Sequence, residues 1–314
     1  MTEKMMQTTN TVLMVRPASF RANPETMQTN HFQKPVAQLE DPSESARREF
    51  DAYAAALEKA GIAVRVYEDC PDSGTPDAIF PNNWLAMLED GSVFTFPMEA
   101  PNRRRERRKD ILSDLFQEYQ VTRHIDLSLF ELEQRYLEGT GSLILDHEHR
   151  IAYVCCSSRS AEAPGREFEK LSGYRLHWFS AHDRDLRPVY HTNVMMSLGK
   201  RFAIVCLESI PSFRERHLLT ETLRATGKTL IDVTFTQMES FCCNVLELHD
   251  SLGMPVYAMS KRAWRAFSPE QQAAISAYAR TVLAPLNVIE DLGGGGARCM
   301  IAEIFLSKNQ DRGT

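Results

Sequence analysis

The sequence predicts an α/β protein built as a ring of about five units, each a strand, a second strand and a helix. Two observations lead there. Strand-like runs arrive in hairpin pairs followed by helix-like stretches, and the glycine-rich segment comes near the end of the chain, in "DLGGGGARCMIAEIF" (residues 291–305). A doubly wound parallel sheet would instead need single strands alternating with helices and a glycine-rich loop behind an early strand. No residue-level repeat accompanies the pattern.

Residues 11–16, "TVLMVR", form a short β-rich run ended by Pro17. The polar stretch Phe20 to Lys34 reads as a loop, either a lid over a site or an ordered surface loop. "DPSESARREFDAYAAALEKAG" then reads as a helix with Ser43 or Ser45 as N-cap and Gly61 closing it. Its Ala46, Phe50, Tyr53, Ala54 and Leu57 share one core-facing stripe. "IAVRVYE" follows as a strand. "DAIFPNNWLAMLEDGSVFTFPM" is a strand, a turn at Asp90-Gly91 and a second strand, ahead of a charged helix beginning near Asn102. The same order recurs in "GSLILDHEHRIAYVCCS" with the helix "EAPGREFEKLSG", and in "HTNVMMSLGKRFAIVCLESI" with "PSFRERHLLTETLRATG". It recurs once more in "FCCNVLELHDSLGMPVYAMS" with "PEQQAAISAYART", and "GARCMIAEIFL" supplies a closing strand.

At 314 residues, 43% hydrophobic and 25% charged, the chain has ample material for one large domain or two medium ones. With 36 basic against 42 acidic residues its net charge is -6, so nucleic acid is not an expected partner. The first residues lack a signal-like apolar run and no stretch approaches a membrane span, so a soluble cytoplasmic protein is expected, with no membrane partner. Self-association stays open. Seven cysteines, an odd number without a CxxC pair, argue for reduced thiols rather than disulfides or a zinc site.

Cys299 stands apart from the other cysteines because the glycine run before it frees backbone amides that can surround a developing negative charge. Cys155, Cys156, Cys206, Cys242 and Cys243 are expected to be small buried hydrophobes. A nucleophilic cysteine needs a base. His191, opening a strand in "PVYHTNVMM", suits the rim of a site, whereas His147 and His149 fall at a hairpin tip and read as solvated. Glu138 lies at a loop-to-strand junction in "YLEGTGSLIL", beside glycines that leave room for a ligand or simply make a turn. Asn82 and Asn83 sit in an apolar run behind Asp77, where buried amides need partners: either turn residues or ligand contacts.

"PNNW", "EGTG", "HTN" and "GGGGARC", in that order across essentially the whole chain, resemble the guanidine-modifying superfamily: arginine and agmatine deiminases, dimethylarginine hydrolases, succinylarginine dihydrolases and amidinotransferases. The resemblance implies a five-bladed α/β propeller, a single catalytic domain over residues 1–314, and no metal or organic cofactor. It also implies Cys299 as nucleophile, His191 as general acid and base, and Glu138 as the carboxylate orienting His191 and the substrate nitrogen. Asp77, Asn82, Asn83 and Asn193 fall to the substrate. "EAPNRRRERRKD" looks like the dimethylarginine hydrolase segment that supplies an arginine for the substrate α-carboxylate, which makes Arg103 or Arg104 a candidate clamp; a solvated helix start is the alternative.

The departures from the family pattern carry their own information. Arginine deiminases have aspartates where this chain has Asn83 and Asn193. A carboxylate only accepts hydrogen bonds, whereas an amide also donates, and a desolvated cation facing amides lacks compensating charge. The site therefore suits a neutral ureido group, and "MVRPASFRANPETMQTNHFQ" looks like the superfamily branch that hydrolyses citrulline to ornithine, carbon dioxide and ammonia. Succinylarginine dihydrolases also carry an asparagine near the first position, so a guanidino substrate such as arginine or a methylated arginine stays open. A third reading is a silent propeller that binds an amino acid or a partner protein.

Overall fold

The structure is a computed structural model describing residues 6–34 and 41–309. Strands β1 (Thr11–Arg16) and β2 (Ala63–Glu68) flank the helix Pro42–Lys59. β3 (Leu85–Met87), β4 (Ser92–Thr95) and β5 (Arg123–Asp126) come next, then β6 (Ile144–Asp146), β7 (Ile151–Cys155) and β8 (Arg175–Phe179). β9 (Met196–Leu198), β10 (Phe202–Val205) and β11 (Thr229–Asp232) precede β12 (Leu246–His249), β13 (Pro255–Ser260) and β14 (Arg280–Ala284). β15 (Ala302–Glu303) ends the series.

Among the described residues these strands make five sheets of three, in the orders β15-β1-β2, β3-β4-β5, β6-β7-β8, β9-β10-β11 and β12-β13-β14. In each sheet the first two strands pair antiparallel and the third runs parallel to the second. A parallel return needs a crossover, and a helix supplies it each time, as Lys109–Glu118 does between β4 and β5. The expected ring is thus a five-bladed α/β propeller. Its closure joins the chain ends: β15 pairs with β1 through Val12↔Glu303 and Leu13↔Ala302.

The expected units lacked their third strand. β5, β8, β11 and β14 are only partly buried and lack a clean alternation: "RHID" and "TLID" are half polar, and "RTVLA" begins at the end of the stretch that reads as a helix. The stretch from Asp77 is also not a strand. Pro81, lacking an N–H, opens a 3-10 turn over Pro81–Asn83, and the strand begins only at Leu85. The first helix is capped by Asp41, whose side chain accepts from the Glu44 N–H, rather than by Ser43 or Ser45. Ser43 instead bonds both backbone groups of Phe20. The helix does bury Ala46, Phe50, Tyr53, Ala54 and Leu57, each large side chain stabilising by about 1.5–3 kcal/mol.

Other expectations also change. Cys156 is exposed, as is Cys70, while Cys155, Cys206, Cys242 and Cys243 are buried. His147 is not solvated: it is buried with Nδ1 against the Tyr174 hydroxyl, and His149 Nδ1 bonds Asp146. Among the described residues no helix is long and apolar enough to cross a membrane.

Candidate active site

The segments entering the five inner strands converge. Asn83, Gly141, Asn193, Asn244 and Cys299 each lie a few residues ahead of β3, β6, β9, β12 and β15. Glu138 and His191 stand one step further out, each heading a one-turn helix, Gly139–Ser142 and Thr192–Met195, rather than opening a strand directly. Glycine at 141 is what lets these segments close up. A β-carbon there would lie 2.4 Å from Asn83 Nδ2 and 2.9 Å from His191 Nδ1.

Glu138 and His191 form the first pair. His191 Nε2 lies 2.8 Å from Glu138 Oε2, and Glu138 Oε1 accepts from the Glu99 N–H at 2.9 Å. Burial opposes ionisation of Glu138, but Arg159, His191 and Arg103 outweigh it and hold the carboxyl well below its usual range. An ionised carboxylate only accepts, so Nε2 carries the hydrogen and Nδ1 is left as the acceptor. Burial pushes the His191 imidazole down to about 4, against the pull of Glu138, so the ring is neutral near pH 7.

Cys299 follows the glycine run. Gly294 takes φ +64, and a β-carbon on it would meet the Asn30 amide at 2.5 Å. The sulfur accepts from Asn193 Nδ2 at 3.2 Å and Asn244 Nδ2 at 3.1 Å, and from no atom of His191 among the described residues. Burial raises the thiol above its ordinary value, partly offset by Asn244, the Gly296 backbone and Asn193.

Arg103 lines the same cavity as Cys299. Its Nε and Nη2 grip both oxygens of Glu106, and its Nη1 donates to Asn83 Oδ1 at 3.0 Å. Asp77 Oδ2 takes Asn23 Nδ2 at 2.7 Å. Among the described residues, Asp77 Oδ1, Asn83 Nδ2 and Asn193 Oδ1 are buried here with no hydrogen-bond partner. Each costs about 1–3 kcal/mol if left unmet. The Asn83 donor and the Asp77 acceptor belong to residues lining one small cavity, with Asn193 directly behind Cys299, and unmet polar groups so placed suit a polar ligand.

The stretch Phe20 to Lys34 covers that cavity. Thr26 and Asn30 line it, Asn30 and Gln33 donate to the Gly293 carbonyl, and Arg159 reaches the Thr26 carbonyl and the Thr29 hydroxyl. A larger open cleft, lined by Gln7, Lys200, Glu247 and His249, lies at the hairpin-turn end of the inner strands, remote from Cys299.

Of the residues expected at the site, Cys299, His191, Asn83, Asp77 and Arg103 line the cavity, with Glu138 and Asn193 bonded directly behind them. Two lie elsewhere. Arg104 turns outward to the Met98 and Glu99 carbonyls and over the Tyr136 ring. Asn82 does not line the cavity, because consecutive residues of a tight turn point apart. Sequence reasoning missed three residues: Arg159, Tyr190 and Asn244. Arg159 lies in the loop after β7, the same loop of its blade that holds Arg103 after β4, and stacks over the Tyr190 ring at 5.0 Å. Asn244 had a signal as well, since "NNWLAM", "HTNVMM" and "CCNVLE" each put an asparagine before an apolar strand.

Among curated proteins none matches the sequence. Residues 16–306 match the family described as N,N dimethylarginine dimethylhydrolase, eukaryotic. The chain belongs to that family. It shares the pentein fold of the guanidine-modifying superfamily with several solved structures. The N-terminal domain of ArgZ, a cyanobacterial arginine dihydrolase bound to its substrate, is 15% identical with a TM-score of 0.70, covering 94% of this chain and 97% of that one. The dimethylarginine dimethylhydrolase of Pseudomonas aeruginosa in complex with citrulline is 13% identical with a TM-score of 0.65, covering 95% and 100%. AgrE, solved with ornithine and NAD+, is 17% identical with a TM-score of 0.68, over 96% of this chain and 40% of that one. At such identities the likeness is one of fold, and the chemistry must be argued from this family member's own residues.

Proposed function

We propose that the chain is a cysteine-dependent hydrolase of the carbon–nitrogen bonds of a ureido group, with citrulline as substrate and ornithine, carbon dioxide and ammonia as products. One observation carries the reading. Arg103 donates to Asn83 Oδ1, so Asn83 Nδ2 is the atom left over for the ligand. A donor in that position suits a carbonyl oxygen, which a ureido group has and a guanidinium lacks.

In this reading Cys299 Sγ attacks the ureido carbon and the carbonyl oxygen becomes an oxyanion beside Asn83 Nδ2. Asn193 Oδ1 accepts from the terminal amide. His191 Nδ1, held in its tautomer by Glu138, takes the thiol proton and passes it to the departing δ-nitrogen of ornithine, leaving an S-carbamoyl enzyme. Water activated by His191 then cleaves the carbon–sulfur bond, and the carbamate released breaks down to carbon dioxide and ammonia. Arg103 is held by Glu106 and Asn83, and Arg159 by Glu99, Glu138, Thr26 and Thr29; both line the cavity, and Arg159, which also ties down the covering stretch, is assigned as the clamp for the α-carboxylate. The free Asp77 Oδ1 suits the α-ammonium.

A second reading is hydrolysis of arginine or dimethylarginine. The family match and the arginine dihydrolase fold likeness favour it, and Asp77 and Asn193 offer acceptors to a cation. Amino-acid analysis after incubation with equimolar citrulline, arginine and dimethylarginine separates the two. Ornithine formed from citrulline with arginine untouched supports the first. Loss of arginine or dimethylarginine with citrulline left intact overturns it.

A further inference from the structure

We propose that Asn244 is a catalytic residue of this site, its carboxamide holding the nucleophile loop through Oδ1 and steadying the ionised Cys299 sulfur through Nδ2. The inference rests on the reading of Cys299 as nucleophile.

The orientation of the Asn244 amide is dictated by its neighbours. Gly296 and Arg298 aim backbone N–H groups at Oδ1, at 3.0 and 3.1 Å, and a backbone amide can only donate. The atom 3.1 Å from Cys299 Sγ is therefore Nδ2, a donor, and its second hydrogen points to the Asn193 carbonyl at 3.2 Å. Asn244 thus binds the loop that carries the sulfur, the sulfur itself and the segment entering the neighbouring blade.

The sulfur has few other sources of help. His191 Nε2 is engaged with Glu138, and the Arg298 guanidinium is turned to the Ile301 carbonyl and Glu303. A thiolate is a much better acceptor than a thiol, so two amide donors on Sγ favour the reactive form in a dry site that otherwise disfavours it. The two asparagines differ in what they have left. Asn193 keeps a free Oδ1 for a ligand, whereas both polar atoms of Asn244 are used within the protein. Asn244 should therefore act on turnover and on thiol ionisation, and little on substrate affinity.

Asn244→Asp tests this. It retains an acceptor for the loop amides but sets an anionic oxygen against the sulfur in place of a donor. The expected result is a folded protein with KM within about threefold of wild type, kcat lower by roughly 100-fold, and iodoacetamide labelling of Cys299, followed by peptide mass spectrometry, displaced to higher pH by at least about one unit. Labelling and turnover within about threefold of wild type would overturn the proposal. Should Asn244→Asp not fold, Asn244→Ser, whose hydroxyl can take a loop amide but falls short of Sγ, is judged by the same two readouts. Cys299→Ala run in parallel keeps the questions separate. If it retains turnover, the nucleophile reading fails; if it is inactive while Asn244→Asp behaves as wild type, only the role of Asn244 fails.

Discussion

Arg103 Nη1 donates to Asn83 Oδ1 at 3.0 Å, and this one bond settles which end of the Asn83 amide meets the ligand. An amide alone could turn either way and serve a donor or an acceptor equally. A guanidinium has no acceptor to offer, so it forces the oxygen toward itself and the nitrogen toward the cavity.

Asn83→Asp should therefore invert the preference for the ligand. The carboxylate still satisfies Arg103 but offers no donor, so kcat/KM for citrulline should fall by about 100-fold while that for arginine rises. Competition assays with both substrates measure the ratio. An unchanged ratio would remove the donor argument. Pairing this change with Asn193→Asp is a poorer test, because Asn193 Nδ2 bonds Cys299 Sγ and an aspartate there would disturb the nucleophile too.

Arg159 and Arg104 should behave oppositely. Arg159 lines the cavity beside Tyr190, so Arg159→Gln should raise KM for citrulline by 100-fold or so, the scale expected when a charged partner of a carboxylate is lost. Arg104 faces outward, and Arg104→Ala should leave KM and kcat within about twofold. Equal effects in steady-state kinetics would contradict the geometry.

The pH profile follows from two shifts. Burial raises the Cys299 thiol, so its thiolate fraction is small at neutral pH and grows as pH rises. His191, pushed down to about 4, stays neutral and able to accept a proton from about pH 5 upward. Iodoacetamide inactivation of the free enzyme should climb steadily from pH 6 to pH 9, approaching about tenfold per unit, without a plateau near the ordinary histidine value. A plateau near pH 6.5 would show that an imidazolium pairs with the thiolate instead.

Gly141→Ala should cost activity out of proportion to stability. The new methyl would lie between Asn83 Nδ2 and His191 Nδ1, whose side chains must move apart. A loss of roughly 100-fold in kcat/KM with a melting temperature lowered by only a few degrees is the expected outcome. Full activity would mean that the two side chains do not need their present spacing.

Trapping supplies the last test. Acid-quenched enzyme mixed with citrulline should carry a carbamoyl adduct on the peptide containing Cys299, absent from Cys299→Ser. An adduct on another cysteine would reassign the nucleophile.

Much of this protein is legible in the order of its residues. Hairpin pairs ahead of helices, the apolar stripe from Ala46 to Leu57 and the cysteine behind four glycines are local patterns, whereas the amides at Asn83 and Asn193 in place of acids stand out only through the family resemblance. Local patterns follow from backbone sterics, side-chain periodicity and the hydrogen-bonding capacity of each residue type. The outer strands β5, β8, β11 and β14 are harder to read because a partly buried strand that follows a helix shows only one or two core-facing residues, such as Phe179 in β8 and Ile231 in β11. Other features depended on assembly. Whether Arg103, Arg104 or Arg159 reaches the cavity, which way Asn83 faces, and that Asn193 and Asn244 rather than His191 hold the Cys299 sulfur are outcomes of bringing five separate segments to one axis. Contacts across such distances in the chain depend on the closure of β15 onto β1, and only the folded ring determines which polar atoms are met and which are left for a ligand.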